Sequence, residues 1–275
     1  MEIKELQQKA NYIRQQVVKL IYTAGCGHIG GDLSETDVLV ALYYKYLHCS
    51  PELVDDPNRD RYIQSKGHCV EALYCVLADR GFIAEEDLAT YSQFGSQYIG
   101  HPNNKINGIE MNSGSLGHGL ALGVGMALAA KMDEKSYKTF VLMGDGELAE
   151  GSVWEAAMAA SHYKLDNLVG IVDRNGLQIS GTTEEVMAHG DVGERFRAFG
   201  WHVIDIADGN DMEQICAALD EAVAFTAGPT MLIAHTTKGK GCGSIENQAV
   251  WHHKVPTAEQ YEAMQAELKA GEQNG

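Results

Sequence analysis

A chain of 275 residues that is 45% hydrophobic can bury one large domain core. Its formal net charge of −17 makes nucleic acid and anionic membrane surfaces poor partners. Residues 1–16 are polar and charged, against a secretory signal, and the nearest approach to a membrane span, 117–130, is short and contains His118.

Residues 3–24 carry the period of an amphipathic helix, with Ile13, Val17, Leu20 and Ile21 on one stripe. The helix stops at a loop, 25–31, that is too rich in glycine for a routine connection and holds His28. Ser34 is placed to cap a second helix, with Asp37 at its third position, running to about Tyr46. A short strand is expected over 60–64, after which Ser65-Lys66-Gly67-His68 opens a helix through Ala78. Gly100-His101-Pro102 comes next, and the proline pushes His101 out of helical geometry. A single loop histidine is ordinarily just solvated; His28, His68 and His101, each beside glycine, together suit proton transfer near neutral pH. Gly114-Ser115-Leu116-Gly117-His118-Gly119 leads into an apolar helix. Its small residues recur at 119, 123 and 127 and again at 121, 125 and 129, a spacing that lets another backbone come close.

The centre of the chain is a strand–helix–strand unit. Thr139 to Met143 reads as a buried strand, Gly144-Asp145-Gly146 as a sharp turn, 152–163 as a helix and 168–172 as a second strand ending in Asp173-Arg174-Asn175-Gly176. The two strands are then parallel neighbours with a right-handed crossover. Both polar clusters fall at the carboxyl edge, where open parallel sheets bind ligands. A glycine turn feeding a helix suits a phosphate group, yet Asp145, Glu147 and Glu150 would repel one. A hard divalent cation resolves the conflict. Mg²⁺ accepts a carboxylate from Asp145, an amide oxygen from Asn175, a backbone carbonyl near Leu177 and phosphate oxygens. The unit is built for a metal-bridged diphosphate.

Beyond it, 179–191 reads as a polar surface loop, 201–206 and 230–235 as strands, 211–225 as the helix between them, and 257–271 as a polar helix. The expected fold is α/β, a parallel sheet flanked by helices on both faces, forming a single domain over 1–275. The six cysteines include no CxxC pair and read as free thiols of a reducing, cytoplasmic compartment.

Several strings carry a family likeness. GDG, then about thirty residues, then Asn is the thiamine diphosphate signature, and GDGELAEGSVWEAAMAASHYKLDNLVGIVDRN resembles transketolase closely. SKGH at 65–68, GHP at 100–102, TTKGKG at 236–241 and ENQAVWH at 246–252 resemble the family's SxGH, GHP, TxKGxG and ENxxxWH strings. GSLGHG at 114–119 resembles GPLGQG, departing at Ser115 and His118. The likeness spans nearly the whole chain and implies a diphosphate-binding (PP-type) domain. It implies that Asp145, Asn175 and the Leu177 carbonyl bind Mg²⁺, or Ca²⁺ or Mn²⁺ in its place. It further implies that His68, Gly114, Leu116, Gly146, Glu150, Asn175 and His252 bind the cofactor. Glu150 matches a carboxylate of the family's subunit-interface network. His28, His101 and His252, rather than His253, match histidines that meet the substrate.

Thiamine diphosphate supplies an electron sink while a carbon–carbon bond breaks. In the family a glutamate on a second, pyrimidine-binding domain triggers it, and nothing in this sequence matches that glutamate or the arginines that hold the sugar's phosphate. The expectation is a split transketolase acting on sugar phosphates: this chain binds the diphosphate, a separate chain carries the pyrimidine-binding domain, and two copies of each assemble. The alternatives are a chain of a 1-deoxyxylulose-5-phosphate synthase-like enzyme, a non-catalytic regulatory subunit or an NAD-dependent oxidoreductase. For the last, Asp173 would bind ribose, but the acidic turn would repel an unmetallated pyrophosphate.

Overall fold

A computed structural model of the chain describes residues 1–274. In chain order the elements are α1 (Ile3–Ala24), α2 (Ile29–Ala41), β1 (Arg61–Gln64), α3 (Val70–Asp79), α4 (His118–Met132) and β2 (Thr139–Gly144). They continue with α5 (Gly151–His162), β3 (Leu168–Asp173), α6 (Thr183–Met187), α7 (Val192–Ala198), β4 (His202–Ile206), α8 (Met212–Ala224), β5 (Thr230–Ala234) and α9 (Ala258–Asn274). The strands form a five-stranded sheet in the order β1-β2-β3-β5-β4, every pair parallel.

Parallel strands covered on both faces read as continuous apolar runs, which is why 139–143 and 168–172 do not alternate. Their side chains still alternate in space. Phe140, Leu142, Val169, Ile171 and Leu232 enter the core shared with α1, α2, α3 and α8. Ile63, Val141, Met143, Val172 and Ile233 enter the core shared with α4, α5 and α7. α9 packs on α1, where Tyr22 and Tyr261 stack with ring centroids 4.3 Å apart. Among the described residues no helix is long and apolar enough to cross a membrane.

Three local expectations change. The second helix begins at Ile29, not at Ser34, so Gly30 and Gly31 lie in its first turn and Ser34 in its interior. The glycines are required there: a Cβ on Gly30 would sit 2.7 Å from the Trp251 carbonyl, and one on Gly31 would overlap the Cys69 sulfur. Ser34 instead donates to the Gly31 carbonyl and to Asp173, and Asp37 pairs with Arg14. Of the two small-residue stripes on α4, one packs closely: a Cβ on Gly119 or Gly123 would collide with Ser65 or Val141. The other faces outward, with Ala121, Gly125 and Ala129 exposed. Finally, 179–191 is not all loop, because Thr182 and Glu185 form a reciprocal capping box that starts α6.

Arg14 bridges α1 and α2. It is 6% exposed, donates to the Leu33 carbonyl at 3.0 Å and pairs with Asp37, which Asn210 also contacts at 2.8 Å. Removing one partner strands a buried charge. Arg14→Met should therefore lower unfolding stability by roughly 3–5 kcal/mol, measured by urea denaturation; a loss below about 1 kcal/mol would mean that the pair is solvated like a surface one.

Candidate functional site

The carboxyl ends of β1, β2, β3 and β5 converge on a cavity of 470 Å³. Asp173, fully buried at the end of β3, ties them together. It accepts hydrogen bonds from Lys66 after β1, Thr236 after β5, and Ser34 of α2 at 2.6 Å. Burial would push this carboxyl up, but Lys66 and the hydroxyl donors outweigh it and hold it below its ordinary value. Lys66 also reaches the Gly31 carbonyl at 3.1 Å and Glu35 at 3.0 Å. Asp173 thus has no face open to a ribose, which removes the residue on which the dinucleotide alternative depended.

The acidic turn after β2 sorts its three carboxylates into three different roles. Glu147 is 2% exposed and accepts from Ser65, from the Gly117 N–H at 2.8 Å and from the Gly144 N–H at 3.1 Å. It fastens the turn to the loops before α3 and α4. Glu150 is exposed at the start of α5 and does not line the cavity. Asp145 does line it, accepting from Gly146 at 2.8 Å and Gly176 at 2.6 Å, with the Arg174 guanidinium 3.6 Å away. Burial, then Asp173, pushes the Asp145 carboxyl up. Glu147 borders the cavity as well, but Ser65, Gly117 and Gly144 take up its oxygens, and only Glu150 lies clear of it.

Asn175, Leu177, Gly114, Leu116 and Gly146 also line the cavity. The Leu177 carbonyl is approached by the Lys238 ammonium at 3.4 Å. Gly146 has Gln178 across it, 3.1 Å from where a Cβ would stand.

Three of the four predicted histidines meet here. The rings of His28 and His68 are 5.1 Å apart, those of His28 and His252 5.6 Å, and those of His68 and His252 5.2 Å. All three line the cavity, whereas His253 is exposed, with its ring 4.5 Å from His28. Burial, helped by the neighbouring cations and imidazoles, lowers His28 to about 4 and His252 to about 3, and takes His68 far below its ordinary value. They are neutral at pH 7. His101 is not among the lining residues. It stands behind Gly114, whose φ of +128° and missing Cβ let the ring lie against the backbone.

Lys238 and Gln178 are among the lining residues to which the sequence reading gave no site role. Lys238 is 2% exposed and bonds to the Leu177 carbonyl and His252 Nδ1 (3.0 Å). Burial depresses it, since among the described residues no carboxylate pairs with it. Its signal was the TTKGKG string at 236–241, a basic glycine turn that carried no site role by itself. Gln178 follows Leu177 with no motif to mark it, and its Nε2 is buried without a partner, as is His28 Nδ1.

These features fit a metal-bound diphosphate. A buried cation without a counter-ion, two unpartnered polar nitrogens and a Cβ-free turn welcome an anion. Among the described residues no group of three or more His, Cys, Asp or Glu is placed to hold a metal. The donor set instead comprises one carboxylate, one amide and one carbonyl, all hard oxygens, which suits Mg²⁺.

The family model described as transketolase, thiamine diphosphate binding domain, matches residues 5–272. The chain is 53% identical over 262 residues to one of the subunits of apulose-4-phosphate transketolase from Phocaeicola vulgatus, covering 95% of this chain and 93% of the relative. It is 40% identical over 266 residues to the 6-deoxy-6-sulfo-D-fructose transketolase subunit SqwG of Clostridium sp. strain MSTE9, covering 96% of each. The solved structure of the transketolase from Campylobacter jejuni superposes with a TM-score of 0.92 at 32% identity, over 100% of this chain but only 46% of that one.

The neutral histidines set a pH dependence. An unfolded histidine gains a proton near 6.5, while folded His28 and His252 wait until about 4 and 3. Their contribution to stability is thus present above 6.5 and lost as pH falls. Relative to a His28→Asn/His252→Asn variant, the wild-type melting temperature should drop progressively from pH 6.5 to 4; parallel curves would contradict the burial assigned to the two rings.

Proposed function

Because the chain belongs to the transketolase family through its thiamine diphosphate-binding domain, we infer that it is the diphosphate-binding subunit of a two-chain transketolase. Such an enzyme moves a two-carbon ketol unit from a ketose donor to an aldose acceptor. The observation that carries this reading is the cavity at the strand ends. There Asp145, Asn175 and the Leu177 carbonyl stand beside a buried, carboxylate-free lysine and three neutral histidines. Full-length likeness to proteins that are themselves named as transketolase subunits supports a partner chain. In this reading the partner carries the pyrimidine-binding domain, and two copies of each chain assemble.

Asp145, Asn175 and Leu177 would hold Mg²⁺, and Gly146, Gly114, Leu116, His68, Gln178 and Lys238 the diphosphate. Bound there, the cofactor supplies an electron sink for breaking and remaking a carbon–carbon bond. His28 offers an unpartnered Nδ1 to the donor's hydroxyl or carbonyl oxygen. Being neutral, His28 and His252 can each take or give a proton without first losing one to water. His101 reaches the donor from behind Gly114, and Glu150, exposed at the start of α5, meets a neighbouring subunit. The relatives' names specify a ketose phosphate and a sulfoketose. The shared chemistry is a ketose with an anionic tail, and that tail is read by the partner.

Ketol transfer from a ketose phosphate, measured with and without a pyrimidine-binding partner chain, tests this. The single chain should be inactive and the mixture active, and His28→Ala should reduce kcat/KM by roughly 10²–10⁴-fold. Substantial turnover by the single chain would overturn the two-chain reading. An inactive mixture that still assembles would favour the regulatory alternative.

A further inference from the structure

Behind His28, and outside the cavity, lies a pair of buried acids that the proposed chemistry does not use. Asp32 of α2 and Glu71 of α3 are both 0% exposed, and their carboxyls face each other. Two carboxyls can bond to each other only with a proton between them. Asp32 Oδ1 accepts from the Ala72 N–H at 2.8 Å, and Glu71 Oε1 from the Tyr91 hydroxyl at 2.5 Å. Their other oxygens, Asp32 Oδ2 and Glu71 Oε2, have no remaining donor, so that proton has a place to sit. Glu71 also accepts from the backbone N–H of His28. The loop lies directly on it: a Cβ on Gly27 would stand 2.5 Å from Glu71 Oε1. One turn along α3, Tyr74 donates to the carbonyls of Ile99 at 3.0 Å and His101 at 3.2 Å. One face of α3 therefore supports the loops of both His28 and His101.

We propose that Asp32 and Glu71 share a proton and act as positioning residues, holding His28 in register for the reacting end of a ketose donor. The part concerning the donor rests on the transketolase reading; the shared proton does not. The titratable groups facing the pair are Glu35 on α2, Cys69, Tyr74 and Cys75 at and within α3, and Tyr91. None of these is a cation, so nothing offsets a second negative charge. Burial and the facing Glu71 raise Asp32 well above the ordinary range, and burial raises Glu71 to about 7. As pH rises through about 7 Glu71 ionises while Asp32 keeps its proton, so a buried negative charge forms beneath the His28 peptide and the loop shifts.

Both acids titrate higher folded than unfolded. Their contribution to stability is thus present below the ordinary values of 3.8 and 4.5 and lost as pH rises toward 7. That is opposite in sign to the cavity histidines, so each is read against its own variant. Relative to Glu71→Gln, the melting temperature of the wild-type full chain should fall as pH rises toward 7. Above pH 7 its infrared spectrum should still contain a protonated-carboxyl band that Asp32→Asn loses. The His28 ring resonances should move over the same interval in the wild type and stay fixed in Glu71→Gln. In the active complex, Glu71→Gln should raise the donor KM roughly tenfold while leaving the acceptor KM and cofactor affinity unchanged. Asp32→Asn keeps the bonds of Glu71 to Tyr91 and His28 and repeats the test if Glu71→Gln does not fold. Superimposable pH curves without the carboxyl band, or a donor KM and His28 resonances unmoved by either variant, would overturn the proposal. A complex without any ketol transfer, in which the resonances still move with pH, supports the shared proton and overturns the transketolase reading instead.

Discussion

The site stands on one buried charge pair, Lys66 with Asp173. Each belongs to the end of a different strand, and together they gather α2 through Ser34 and Gly31 and β5 through Thr236. Buried ion pairs are expensive unless their remaining hydrogen-bonding capacity is met, and here it is. Glu35 also faces Lys66, but burial pushes that carboxyl up to about 8, so at neutral pH it is protonated and the pair stays balanced one to one. The arrangement explains why α2 must start early. Only a helix whose first turn contains Gly30 and Gly31 brings Ser34 and the Gly31 carbonyl to that pair.

Because Lys66 is committed to carboxylates, the remaining cavity lysine sets the electrostatics of ligand binding. Lys238 touches a carbonyl and an imidazole but no acid. Around it the histidines are neutral through burial, and of the acidic turn's carboxylates at the cavity Glu147 is taken up by its donors and Asp145 remains. A site with one cation, one carboxylate and neutral donors binds a dianionic diphosphate only if a divalent cation shares the charge. Glu147 keeps this balance by turning inward, where three donors satisfy it and hold the turn against the neighbouring loops.

The sheet and the gathering of Asp145 and Asn175 at one strand edge were legible because strand periodicity and the GDG-to-Asn spacing are local signals. Asp145, Asn175, Leu177, His28, His68 and His252 reach one cavity as the motifs imply. What stayed hidden depends on tertiary packing. Ser34 has the chemistry of a helix cap, and only the approach of Trp251 and Cys69 to Gly30 and Gly31 shows that the helix began earlier. The inward turn of Glu147 depends on Ser65, Gly117 and Gly144 arriving from three elements. Gln178 has no sequence mark at all, and Lys66 looked like a loop residue until its carboxylate partners were in place. His101 stands behind Gly114 rather than in the cavity lining, and Glu150 stands outside it.

The most direct measurement is a calorimetric titration of thiamine diphosphate into the complex of this chain with its partner, in Mg²⁺ and then in a chelator. The expected result is binding that requires Mg²⁺ and is abolished by Asp145→Ala or Asn175→Ala, with the complex still assembled. Equal affinity in the chelator, or undiminished affinity in both variants, would contradict a diphosphate held through a metal at this strand edge.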